Sequence, residues 1–327
     1  MELATLKTKV LGAHINKAMT KIAIVDSRAN IVAMESFKTS DYPDDITAYI
    51  DKFCDVVAGL LTEYNCFEEI RALGISCSNA NFKSGCIENP NNLPWQGVVP
   101  IANLLRDRLG MAVAVGNNCH AAALAEAHYG CAHGTNDFIY INIGYGLGGY
   151  MFVRGKEHFG ANGFAGEIGH TCVQPGGRKC ECGLKGCLET YVSIKGVLKT
   201  AKELMQESDK PSLMRDVEEL TAEQIIEFCE QGDELAIETL RRTGDTLGLG
   251  LATFATMFDP EQVVVGGILT KAGHWLFDSA RESYDNNVYR NIKGKASLVL
   301  STMTDGEREI IGASALAWQV KTYSLFV

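Results

Sequence analysis

No apolar run in the 327 residues approaches the roughly 18 that a membrane-crossing helix needs, so no membrane partner is expected. The opening MELATLKTKV carries no signal-peptide core either. No long stripe of Lys and Arg appears, and the formal net charge is −10, which argues against nonspecific nucleic-acid binding. A disulfide framework is also missing. The 11 cysteines are odd in number and lack an export signal, so they read as reduced thiols or metal ligands of a cytoplasmic protein. No Pro/Ser-rich linker divides the chain. Against these absences, 46% hydrophobic and 21% charged residues place it among globular proteins, with about two domains expected from length. Glycine is in surplus, at 33 residues against a usual share of about 7%.

Short apolar runs predict strands over residues 10–15, 21–25 and 31–37, with a turn at 26–30. Ile46, Ile50, Phe53, Val57, Leu60, Leu61 and Tyr64 then recur at helical spacing, with Asp44 or Asp45 as the cap. Residues 72–76 and 111–115 predict strands, and residues 101–109 a helix. An alanine-rich helix is expected over 121–129, starting near 117–119. This alternation argues for an α/β fold. After residue 135 the opening returns: DFIYINIGYGLGGYMFVRG repeats the strand, turn and strand of KVLGAHINKAMTKIAIVD. Two halves of similar architecture are expected. Residues 193–242, including 222–231, read as helical and charged, 263–265 as a strand entering Gly266–Gly267, and 308–321 as a closing helix. The expected division is 1–118 with the closing helix 307–327 as one α/β domain, and 119–306 as a larger one.

The spacing His170-x9-Cys180-x-Cys182-x4-Cys187 gathers one imidazole and three thiols in eighteen residues. Glycines at 176, 177, 183 and 186 let the backbone fold tightly around a centre. A Cys3His set suits tetrahedral zinc in a closed structural site, and the alternative is a chance cluster of reduced thiols. Most remaining cysteines (54, 66, 77, 86, 119, 131, 172 and 229) read as small buried hydrophobes.

The segment GANGFAGEIGHTCVQPGGRKCECGLKGCLET resembles the signature of the ROK family (repressors, open reading frames and sugar kinases). That family's G-E-x-G-H is followed by C-x-C-G-x-x-G-C-x-E, and each position is filled. NNLPW, AAALAE, GYGLGG and the terminal GASALAW extend the likeness over nearly the whole chain, which is similar to glucokinase-like members. The resemblance implies the two-domain actin-like (ribonuclease H-like) sugar kinase fold, a sugar substrate with ATP and Mg2+, and a homodimer or homotetramer. It implies structural zinc on His170, Cys180, Cys182 and Cys187. It implies sugar contacts on Asn92, Asn117, Asn118, Glu167, His170 and Glu189, and nucleotide contacts on Gly144, Gly146, Gly148, Gly266 and Gly267. Carboxylates and amides suit vicinal hydroxyls, and a metal would fix the imidazole that faces them.

The kinase machinery departs from the family pattern. Where the family's first phosphate turn reads D-x-G-G-T, this chain has His14-Ile15-Asn16-Lys17-Ala18, without the carboxylate, the glycines or the hydroxyl. The family's N-D-A-N-A-A-A becomes Asn117-Asn118-Cys119-His120-Ala121-Ala122-Ala123, so Asn118 replaces the general base. An amide caps a helix and bonds a hydroxyl but cannot accept the proton, and losing a positioned base costs typically 10²–10⁴-fold. In the second turn, Gly144-Tyr145-Gly146-Leu147-Gly148, a phenol replaces a small hydroxyl. Ser76, Ser78 and Ala80 replace the family's glycine-like and proline residues on the sugar side. His120 and His14 are the candidates for a substitute base, and Lys17 with His14 for holding the phosphate of a sugar phosphate. The expectation is a sugar or sugar-phosphate binder with little or no phosphotransfer; an active hexose kinase is the alternative. A regulator role is a third reading, and with only about nine residues before Val10 no DNA-binding segment is expected there.

Overall fold

The computed structural model describes residues 8–323, apart from 44, 91 and 92, and divides into two compact units. The first contains the chain up to His133, the excursion Gly160–Phe164 and the chain from Met303. Its elements are β1 (Lys9–Ile15), β2 (Met19–Asp26), β3 (Ile31–Lys38), α1 (Ile46–Glu63), β4 (Ala72–Cys77), β5 (Ala80–Asn81), β6 (Cys86–Glu88) and β7 (Val98–Val99). They continue with α2 (Ile101–Leu109), β8 (Ala112–Gly116) and α3 (Asn118–Tyr129). The second unit, Gly134–Phe159 and Ala165–Thr302, holds β9 (Phe138–Ile143), β10 (Leu147–Val153), β11 (Lys156–Glu157), α4 (Glu189–Val192), α5 (Ile194–Glu207) and α6 (Ala222–Glu230). It ends with α7 (Glu234–Phe258), β12 (Gln262–Gly266), α8 (His274–Asn287) and β13 (Ser297–Leu300). The chain then returns to the first unit as α9 (Asp305–Tyr323).

The main sheets share one topology. Their orders are β3-β2-β1-β4-β8 and β11-β10-β9-β12-β13. In each, the three strands of the opening meander are antiparallel and two further strands add in parallel. The repeated strand–turn–strand pattern in the sequence is therefore a repeated sheet. Asp45 caps α1 by accepting from the Ala48 N–H; of the residues at helical spacing Ile50, Phe53, Val57, Leu60 and Leu61 are buried, joined by Tyr49, whereas Tyr64 follows the helix end and is exposed. The other candidate cap, Asp44, lies outside the described residues. The segment expected to be helical over 193–242 is broken between α5 and α6, and α7 runs on to Phe258.

Period-two alternation decides what each face of the first sheet meets. Leu11, Ala13 and Ile15 join Leu73, Ile75 and Cys77 in the core under α1 and α2. Val10, Gly12 and His14, with Ala72, Gly74 and Ser76, face α9 instead, and Gly12 pairs with Gly74 in register. Here the glycine surplus has a packing cause. A Cβ on Gly12 would lie 2.8 Å from the Ile310 carbonyl oxygen, and one on Gly74 only 1.8 Å from that of Ala313. Helix α3 closes on the same partner, where a Cβ on Gly312 would reach within 2.3 Å of the Ala121 oxygen. The buried Arg308 also donates to the fully buried Glu126 of α3 at 3.4 Å. These contacts keep α3 in the first unit, so that unit runs past the division expected at residue 118 to His133.

Gly74→Ala drives a methyl into the α9 backbone and is expected to cost about 3 kcal/mol or more, at the top of the overpacking range. Gly59→Ala, in the exposed interior of α1 with nothing near its Cβ position, is expected to stabilise by up to about 1 kcal/mol. Thermal melts of the two variants check both signs.

Candidate functional site

The cysteine cluster forms in the second unit. Its loop folds back on itself through bridges Cys172↔Cys187 and Lys179↔Lys185, with Gly186 at φ 80° where a Cβ would strike the Gln174 oxygen at 1.8 Å. The guanidinium of Arg178 anchors the loop: it donates to the Thr190 oxygen at 2.8 Å and to Thr200 Oγ1 at 3.0 Å, and pairs with Glu203. It also lies 4.5 Å above the Tyr191 ring. One ligand atom each from His170, Cys180, Cys182 and Cys187 then falls within 4.8 Å of the others. Tetrahedral zinc, with Zn–S near 2.3 Å and Zn–N near 2.05 Å, requires edges of about 3.8 Å between sulfurs and about 3.6 Å between nitrogen and sulfur. Cys182 and Cys187 Sγ are 3.8 Å apart, and Cys180 Sγ is 3.6 Å from His170 Nδ1. The donor set fits zinc in chemistry and in size. Burial and the neighbouring thiols push the Cys187 thiol up to about 12, so a thiolate there needs a cation beside it. Among the other cysteines, Cys66, Cys77 and Cys229 are buried as expected, whereas Cys172 is exposed.

The G-E-x-G-H segment owes its glycines to β10. A Cβ on Gly166, at φ 101°, would lie 2.6 Å from the Gly149 oxygen, and one on Gly169 2.0 Å from that of Leu147. Pressed onto the strand this way, the turn presents Glu167 and His170. Burial raises the Glu167 carboxyl above its usual range; His170 opposes this and Glu189 adds to it. Glu189, first residue of α4, accepts the Leu147 N–H at 2.9 Å, so a carboxylate occupies an amide of the second glycine turn. A Cβ on Gly146 would meet that same carboxylate at 2.7 Å, and Tyr145 is 78% exposed. Gly267, at φ 96°, packs so closely on β9 that a Cβ would sit 2.4 Å from the Ile143 oxygen.

In the first unit the turn between β1 and β2 is closed by its own side chain. Asn16 Oδ1 accepts from the Ala18 and Met19 N–H groups at 3.0 and 2.9 Å, so both amides of the turn are satisfied within the chain. Lys17 is exposed on that turn. His14 is 3% exposed, with Nδ1 3.3 Å from Ser76 Oγ and Nε2 3.4 Å from Glu309 Oε1, so it is a core residue and does not join Lys17 as a phosphate ligand. Asn117 caps α3 by accepting from the Cys119 N–H. Asn118 accepts from Ser76 Oγ at 3.0 Å and donates to Ser78 Oγ at 3.1 Å. His120 is 2% exposed, edge-on to Phe82 and under Gly116, where a Cβ would lie 2.8 Å from its Nδ1. That is the setting of a packing histidine. Asn92 lies outside the described residues. Sequence reasoning missed Asn16 and Glu309. An Asn two residues before an amide in a tight hairpin is a legible Asx-turn signal, whereas Glu309 is 295 positions from its partner His14 and gave none.

Comparison with known proteins agrees with the fold. The profile of the ROK family matches residues 11–320. A glucokinase of Streptomyces coelicolor is 29% identical over 314 residues, covering 94% of this chain and 96% of that one. A xylose repressor of Caldicellulosiruptor bescii is 31% identical over 202 residues, 61% of this chain and 50% of the repressor. The crystal structure of a ROK family glucokinase from Streptomyces griseus in complex with glucose and AMPPNP superposes with a TM-score of 0.76 at 28% identity, covering 95% of this chain and 99% of that one. The expected α/β sugar-kinase fold is thus the observed one.

Metal analysis of the purified chain is expected to find about one zinc, falling towards zero in Cys182→Ser and Cys187→Ser with a drop of several degrees in melting temperature. Burial lowers the His14 imidazole from its ordinary 6.5, with Glu309 opposing and Lys21 adding. The unfolded chain therefore binds that proton more readily. This contribution to stability is complete above about pH 6.5 and is lost as the pH falls through the lowered folded value. Melting curves from about pH 7.5 to 5 are expected to fall further for the wild type than for His14→Asn.

Proposed function

The chain belongs to the ROK family, and we propose that within it this protein binds a hexose-like sugar without acting as an efficient kinase, serving as a sugar sensor. One observation carries the reading: the chain's own side chains occupy the places where phosphoryl transfer needs open amides and a base. Asn16, which replaces a glycine of the family's first phosphate turn, takes two N–H groups of that turn. A neutral amide, Asn118, stands at the base position, hydrogen-bonded on both ends. Phosphoryl transfer rests on positioning and charge stabilisation, so losses at the turns and at the base compound one another.

The sugar-binding donors are retained. The reading assigns hydroxyl contacts to Asn92, Asn117 and Asn118, and to Glu167, His170 and Glu189. Glu167 and Glu189 accept from vicinal hydroxyls. With Nδ1 of His170 in the metal set, its Nε2 carries the ring proton and donates, in a fixed direction. Zinc, when bound, supplies only that orientation and the closure of the loop. ATP and Mg2+ are not required for the role, and a homodimer or homotetramer is part of the reading. A free sugar is favoured over a sugar phosphate because His14 is buried, leaving Lys17 as the cation of the first turn.

Calorimetric titration with hexoses, amino sugars and their 6-phosphates, beside a coupled ADP-release assay, tests the reading. Hexose binding with ADP release near background is expected. Glu167→Gln should weaken binding roughly 10–100-fold, the loss of a hydrogen bond to a charged group. Asn118→Asp alone should leave ADP release near background, because the turn closed by Asn16 is unchanged. Sustained sugar-dependent turnover by the wild type would establish the active kinase instead, the reading that the full-length glucokinase likeness favours.

A further inference from the structure

A line of polar groups crosses the first unit from its closing helix to α3. Glu309 Oε1 of α9 lies 3.4 Å from His14 Nε2, His14 Nδ1 3.3 Å from Ser76 Oγ, and Ser76 Oγ 3.0 Å from Asn118 Oδ1. Asn118 Nδ2 is 3.1 Å from Ser78 Oγ. His14 and Ser76 are direct register partners on β1 and β4, and both are at least 97% buried. Among the described residues three elements bring polar or charged groups to the imidazole: β4 with Ser76, α9 with Glu309, and β2 with Lys21, whose ammonium is 3.3 Å from the second Glu309 oxygen.

Ser76 has one proton to give, so the line has a direction. With His14 charged, Nε2–H donates to Glu309 and Nδ1–H to Ser76. The Ser76 proton then goes to Asn118 Oδ1, and Asn118 Nδ2 donates to Ser78. With His14 neutral, the Glu309 carboxylate keeps the ring proton on Nε2, because the other tautomer would set a lone pair against an anion. Nδ1 then accepts, and Ser76 turns its proton towards the ring. Its oxygen now faces Asn118 with only lone pairs to offer, so the Asn118 amide must rotate by half a turn. Nδ2 then donates to Ser76, and Oδ1 accepts from the Ser78 hydroxyl. The second N–H and the second lone pair of the amide, which a ligand would meet, exchange places.

We propose that His14 is a positioning residue whose protonation, relayed through Ser76, sets whether Asn118 offers a sugar hydroxyl a donor or an acceptor at a given place. The relay needs no chemistry beyond one solvent proton taken up at Nδ1. The ligand part rests on the sugar-binding reading above, whereas the coupling between His14 and Asn118 does not.

The test uses the full chain labelled with 15N-asparagine. In sugar-free protein the Asn118 side-chain amide pair, identified by its loss in Asn118→Ser, is expected to shift with pH at the midpoint of the His14 ring protons. Ser76→Ala is expected to leave the ring titration in place and to stop the amide from following it. An Asn118 amide that stays fixed while His14 titrates in the wild type overturns the coupling. Hexose titrations across the same pH range are expected to show roughly three- to tenfold changes in affinity in the wild type, the worth of one hydrogen bond, at the midpoint of the His14 ring, and no step at that midpoint in His14→Gln. Affinity independent of pH in the wild type overturns the ligand part. Absence of hexose binding at every pH overturns the sugar reading, and the amide shifts still decide the coupling.

Discussion

The seating of α9 on a track of missing side chains is the constraint from which the first unit is built. Gly12 and Gly74, paired across β1 and β4, let the helix backbone approach closer than any Cβ would allow. Leu316 presses on Gly116, and Gly312 on α3, at the end of the same track. At that depth every residue of the helix face is placed without slack. Arg308 reaches Glu126 in a buried pair, and Glu309 reaches His14. Such a pair is costly to break, because removing either partner strands a buried charge, and so it specifies the register of the helix more than it adds to stability.

The polar design of the two turns follows a common logic. A tight glycine or asparagine turn exposes N–H groups that must be satisfied by a ligand, by water or by the chain itself. Here the chain satisfies several of them: Asn16 accepts two in the first unit and Glu189 one in the second. The second choice also sets electrostatics. A carboxylate on the turn makes that corner negative beside Glu167, whose own carboxyl is held above its usual range. Neutral hydroxyls, which both donate and accept, suit such a corner better than phosphate oxygens do.

Much of this was legible in the sequence, and the reason is locality. The candidate metal-binding set lies within eighteen residues, so its spacing points to its chemistry, and the Cys182–Cys187 and His170–Cys180 distances match tetrahedral edges. The periodicities of α1 and the opening strands carried their elements to within a residue or two. The glycine surplus divides between the cysteine loop, as its spacing suggested, and close backbone contacts at Gly12, Gly74, Gly166 and Gly169. Those contacts join positions far apart in the chain, and no local pattern announces them. The His14–Glu309 pairing is equally invisible, being set by how α9 lies on the sheet. Helix α8 was missed for a related reason. Its mixed polar and aromatic sequence is held by α7, where a Cβ on Gly248 would reach 2.2 Å from the Ala280 oxygen.

The return of α9 to the opening strands also fixes an order of events in the making of the protein. The chain leaves the first unit after His133 and builds the second before it comes back at Met303. A nascent chain that has produced β1, β4, β8 and α3 therefore still lacks the helix that covers their second face. Domains fold as units, the earlier part waiting for its last segment. The second unit is complete in sequence by Thr302, before the last segment of the first. The glycine track stays bare until the final helix emerges, and with it stays bare the imidazole that faces Glu309.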